Sequence, residues 1–147
     1  MIHMELDTRA FEAAVRKLTA ELQAEGTEAV ADAMAFEIQR RAEKNITEWN
    51  ERDQVYDRHR KTYRGALIDT GLMRGSFHVI ASGRGERIVF NASAYARHHE
   101  FGTKSNKTNK QIIPARPFLR PAITENQQGI VNTATTVLNA FIRERSR

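Results

Sequence analysis

His98, His99 and Glu100 stand in a row, and each side chain can ligate a metal or move a proton. Neighbours on a helix point about 100° apart, so three consecutive residues do not converge on one ion. Helical zinc sites place their histidines four apart, and this pair is adjacent. His3, His59 and His78 lack ligand spacing as well. A structural or surface role therefore outweighs a metal-dependent nuclease reading. Asp69 and Glu100 are candidates for a carboxylate pair, but nothing in the sequence brings them together, and acid–base work needs a shaped site. Asp69 has a simpler reading, because Asp69-Thr70-Gly71 is the composition of a turn. Ser76 and Ser82 lack the context of an activated nucleophile. Gly83-Arg84-Gly85 has no Gly-Lys-Ser/Thr after it and is not a phosphate loop. With no cysteine in the chain, thiol catalysis, disulfides and cysteine-ligated zinc are all excluded. The residues define no catalytic constellation, and neither a metal nor a cofactor is expected.

The elements around these residues follow from periodicity. Ile2–Leu6 suits a short strand, and Asp7 or Thr8 a helix cap. Phe11, Val15, Leu18 and Leu22 recur at helical spacing, as do Val30, Met34, Ile38, Ala42 and Ile46. Residues 8–48 read as one long helix interrupted at Gly26, or as two helices with Thr27 capping the second. Residues 49–66 are polar and of mixed charge, and either a solvated helical extension or an ordered loop fits them. Phe77–Ser82 and Arg87–Phe90 read as a hairpin closed at Gly83-Arg84-Gly85. Ser93 is positioned to cap a short helix, Ala94–Phe101, stopped by Gly102. Residues 103–111 form a basic loop, mobile or at the tip of a long hairpin, before a short strand at Gln111–Ile113. Ile130, Ala134, Val137 or Leu138, and Phe141 mark a closing amphipathic helix. The expected class is α+β, a single domain over residues 1–147, with a long helical N-terminus and a small antiparallel sheet built on the central hairpin.

Composition is that of a soluble globular chain: 40% hydrophobic and 28% charged over 147 residues. No run approaches a membrane span, so no membrane partner is expected. Met1–Asp7 has neither the basic flank nor the apolar stretch of a secretory leader. Charge is uneven. Residues 1–38 hold eight acids and three bases, a net −5 within a chain of net +5, which leaves +10 on the remainder. Between Phe101 and Pro121, Lys104, Lys107, Lys110, Arg116 and Arg120 occur without any acid. Such a stretch can be simply solvated, can attract DNA phosphates, or can meet an acidic neighbouring subunit. The loop carries no aromatic residue for stacking bases.

Three stretches, taken in order, resemble one family. They are Asp69-Thr70-Gly71-Leu72-Met73-Arg74-Gly75-Ser76, Tyr95-Ala96-Arg97-His98-His99-Glu100-Phe101-Gly102-Thr103, and Ile113-Pro114-Ala115-Arg116-Pro117-Phe118-Leu119-Arg120-Pro121-Ala122-Ile123. The order is similar to that of the tail-completion, or neck, proteins of long-tailed phages, also described as minor tail or virion morphogenesis proteins. The third stretch is the most specific. Two departures stand out: residues 49–66 are longer than the usual link, and two histidines occupy the spacer before Glu100. The resemblance implies a structural subunit without chemistry. It would form an oligomeric ring at the head–tail junction of the virion and be assembled in the host cytoplasm. Its partners would be copies of itself, connector or stopper proteins, tail-tube or terminator proteins, and the packaged DNA. Tail-terminator rings share this outline, and a small basic DNA-binding protein is the competing reading.

The motif residues also carry physical expectations. Gly71 allows a tight exit from the long helix onto the first strand. Tyr95 and Phe101 are expected to anchor the short helix in the core. Pro114, Pro117 and Pro121 stiffen the connection, and Phe118 and Leu119 pin it to the sheet. Arg116 is expected either to pair with Glu100 or with a neighbour, or simply to brace the turn. The acidic N-terminal region is expected to face the basic remainder of the next subunit, as a head-to-tail ring needs unlike surfaces.

Overall fold

A computed structural model describes residues 9–52, 54–57, 62–65, 71–104, 108 and 111–145. The strand at Ile2–Leu6, the cap at Asp7 or Thr8, Asp69, Thr70, Lys107 and Lys110 lie outside them. Helix α1 (Arg9–Glu21) passes through a π-helical turn, Leu22–Gly26, into α2 (Thr27–Arg52) without leaving helical geometry. Gly26 is thus not a break, and Thr27 is no cap: its φ and ψ are −64° and −41°, and its N–H donates to the Leu22 carbonyl. The glycine serves a close approach instead. A Cβ there would stand 3.5 Å from the Phe141 ring and 3.3 Å from Leu22 Cδ2.

Two hairpin strands, β1 (Gln54–Asp57) and β2 (Thr62–Gly65), follow α2. The segment read as helix or loop therefore contains an antiparallel pair. Met73–Ser76 then turns into the central hairpin of β3 (Phe77–Gly83) and β4 (Glu86–Asn91). Its two-residue turn, Arg84-Gly85, puts Gly85 at φ +67°, a conformation that side chains with a Cβ resist. Helix α3 (Ala96–Phe101) starts two residues later than expected and stops at Gly102, φ +73°. Ser93 shapes its entry by accepting from the Tyr95 N–H at 3.4 Å. Strands β5 (Thr103–Lys104) and β6 (Gln111–Ile113) pair antiparallel on either side of the basic loop. Helices α4 (Leu119–Thr124) and α5 (Gln127–Arg145) close the chain. Among the described residues the strands form three separate pairs, not one sheet.

Packing follows the helical spine. Helix α5 runs back along α2: Asn126 bonds Glu37 at its start, and Arg145 pairs with Glu21 and Glu25 at its end. On another side lies the central hairpin. Arg87, on β4, reaches Glu28 (2.7 Å) and Asp32 (2.5 Å), and the Gly85 N–H donates to Glu28 (2.7 Å). The core gathers Ala42 and Ile46 of α2, Met73, Phe77, Ala96, Phe118 and Ala122. Phe77 and Phe118 meet edge to face, centroids 5.9 Å apart.

Candidate functional site: a clamped proline segment beside an open apolar face

The third motif stretch is held from two sides. Helix α3 is only six residues long and buries two of them, Ala96 and Glu100, one turn apart. Tyr95 and Phe101, expected as core anchors, fall on its other face and are 64% and 63% exposed. So a small residue and a carboxylate meet the core in place of two aromatic rings. The Glu100 carboxylate accepts from the N–H groups of Phe118 (2.8 Å), Leu119 (3.0 Å) and Arg120 (3.0 Å). These are the unsatisfied first amides of α4, which has no capping side chain of its own at Phe118. Glu100 is a cap supplied from another helix, and its negative charge sits where the helix dipole favours it.

The long helix grips the same segment through carbonyls. Asn45 Nδ2 donates to the Phe118 carbonyl at 2.8 Å, and Trp49 Nε1 donates to the Pro117 carbonyl at 2.9 Å. Arg116 N–H donates to the His99 carbonyl at 2.6 Å. Glu100, the partner expected for Arg116, is thus engaged by three backbone amides. Arg116 is itself buried, which removes it from the set of DNA-facing cations. Its charge, with burial and His98, holds the His99 imidazole below its usual pKa; burial is the largest cause. His99 Nδ1 is buried without a hydrogen-bond partner, and His98 Nδ1 lies 2.8 Å from Thr103 Oγ1. The two histidines thus have separate surroundings. Among the described residues no three His, Asp or Glu side chains gather as a metal site.

Six of the eight acids expected to face a neighbour are engaged at home, and Glu5 and Asp7 lie outside the described residues. Glu12 pairs with Arg16, Glu21 and Glu25 with Arg145, Glu28 and Asp32 with Arg87, and Glu37 with Arg40. Hydrogen bonds from Arg87 hold the Glu28 and Asp32 carboxyls below the usual range, and the Gly85 amide adds to this at Glu28. What remains open is apolar. The hairpin face away from α2 exposes Ile80, Ile88 and Phe90, with Phe90 stacked on His78. Beside it, Phe90, Phe101, Phe118 and Ile123 line a groove of about 380 Å³ that includes Arg97 and Arg120. The Arg120 guanidinium sits 5.7 Å above the Phe101 ring.

Motif recognition picked out Glu100, Phe118 and the prolines, which prove to form one clamp. It missed Asn45, Trp49 as a donor, and Arg87. Asn45 and Trp49 stand four apart beside the Ala42–Ile46 stripe, and that spacing was the available signal.

This clamp belongs to a chain with recognisable relatives. Residues 6–139 match the phage virion morphogenesis family, and the chain belongs to that family. An uncharacterised protein of Methanocaldococcus jannaschii is 28% identical over 130 residues, 84% of this chain and 93% of that one. No solved structure matches. Membership implies a structural or assembly role in a phage particle. Among the described residues, no helix is long and apolar enough to cross a membrane.

Proposed function

We propose that the chain is a structural subunit of the head–tail neck, forming an oligomeric ring that joins the capsid connector to the tail and completes the virion. The family match over residues 6–139 carries this reading. The geometry supports it. The clamp makes a rigid wedge from sequence that would otherwise be a loop, and the subunit keeps extensive apolar surface open to neighbours. Its partners would be further copies of itself and the connector and tail proteins above and below. The basic loop with Lys104, Lys107 and Lys110 would face the channel through which DNA passes, where flexible cations attract phosphate without reading sequence.

Deleting the coding sequence tests the role. The expected outcome is filled heads and finished tails that stay unjoined until the protein is supplied in trans. Intact, infectious particles without the protein would overturn the reading. Reversing charge at all three lysines should impair DNA retention in assembled particles. Unchanged retention would remove the channel-facing role of the loop.

A further inference from the structure

Two apolar faces of this subunit lack a cover, and they cannot cover each other. The first is on α1, where Phe11 is 71% exposed and Val15 44%. The second is the outer face of the β3–β4 hairpin, with Ile80, Ile88 and Phe90 and the adjoining groove at Phe101 and Ile123. The hairpin turn is fastened at the junction of α1 and α2: Arg84 Nη2 donates to the Gln23 carbonyl, and the Gly85 N–H to Glu28. From that point β4 runs back along α2, while α1 runs on in the other direction. Phe11 lies about 18 Å beyond Gln23 along the helix, at 1.5 Å per residue. Phe90 lies roughly 16 Å to the other side, at strand spacing. Within one chain the two faces are therefore about 30 Å apart.

We propose that α1 of one copy lies across the outer hairpin face of the next, with Phe11 seated in the groove between Phe90, Phe101 and Ile123. This rests on the reading of the chain as a ring subunit and names the contact that makes the ring. Two unlike faces that meet only between copies form a heterologous, head-to-tail interface, the kind that closes rings. The rim of the groove carries Arg97 and Arg120. Size supports the occupant. The exposed fractions amount to roughly 700 Å² of apolar surface over both faces, at about 200 Å² for an aromatic side chain. With the usual apolar share, this corresponds to an interface of about 1,200 Å², the lower end of the standard range.

The absence of cysteine makes the test clean. The full chain carrying both Val15→Cys and Ile88→Cys is oxidised, free at high concentration and in assembled particles, then run without reductant. Both positions are exposed, so the fold tolerates the changes. The proposal expects a ladder of covalent oligomers ending at the ring number, and no ladder from either single variant. Dimers from Val15→Cys alone or Ile88→Cys alone would show like faces meeting and overturn it. Particles that contain the protein but give only monomer would overturn it as well, while leaving the neck role standing. Particles without the protein would instead count against the neck role. As a second measurement, Phe11→Asp should weaken self-association at least tenfold in sedimentation velocity; parent-like association would contradict the proposal.

Discussion

At the scale of single residues, the decisive side chain is Glu100. Its carboxylate answers three amides at the start of α4, so removing it leaves three donors without partners in a buried setting. Glu100→Ala should cost about 3 kcal/mol in urea unfolding, and Glu100→Gln, which keeps an oxygen acceptor, about half of that. Equal losses would mean that side-chain volume, not acceptance, matters here. Gly85 is under a double constraint. Its φ is +67°, and a Cβ would come 2.5 Å from Thr27 Cγ2. Gly85→Ala should therefore destabilise by about 2 kcal/mol, read from the same unfolding curve. His99 gives the fold a pH dependence. Its folded pKa is lowered, so the native state prefers the neutral ring. The contribution is fully present above the unfolded value of 6.5 and is lost as pH falls below it toward the folded pKa. Thermal stability should decline on acidification from pH 7 into this window, and His99→Gln should flatten that slope. A slope unchanged in the variant would assign it to another group.

At the scale of elements, Arg87 ties the turn end of the central hairpin to α2 through its pairs with Glu28 and Asp32, while Phe77 and Val89 pack into the core. Arg87→Met should leave the core intact and loosen the hairpin, raising hydrogen exchange at the Gly85 amide about tenfold relative to the core amides of α2. The same loosening should appear in the parent at low pH. Both carboxyls have lowered folded pKa values, so their pairing with Arg87 is present above the ordinary carboxyl range and is lost as pH falls through the folded values. Exchange at Gly85 that ignores both changes would locate the attachment elsewhere. Elements with a clear period or punctuation were legible from the residues alone. The stripe from Val30 to Ile46, the turn at Gly83-Arg84-Gly85, and the stop at Gly102 each carry a local physical cause. The π turn was not legible, because Gly26 reads as a helix breaker until Phe141, far away in sequence, is placed against it. Nor was the orientation of α3. Aromatic residues usually mark the buried face, but here the buried position is decided by amides on another element, which Glu100 reaches and Tyr95 does not. The hairpin inside residues 49–66 lacks the alternation that would announce it.

For the whole molecule, apolar surface is divided unusually. Among the described residues, four of the ten buried apolar ones are alanines, whereas Phe11, Phe36, Phe101 and Tyr95 are more than half exposed. A monomer rarely leaves so much aromatic surface in water, and the division suits a part that finishes its burial against neighbours. The described acids of the N-terminal region pair within the chain, and the open groove is apolar with a basic rim. The interfaces of such a subunit should accordingly resist salt, while any attraction between the loop lysines and DNA should fade with it.

Cryo-electron microscopy of the head–tail region of purified particles tests the central claim most directly. The account predicts a closed ring of this fold between connector and tail, with α1 of each subunit on the hairpin of the next and the basic loop turned to the channel. Particles that are complete and joined, yet hold no density for this subunit at the junction, would contradict it.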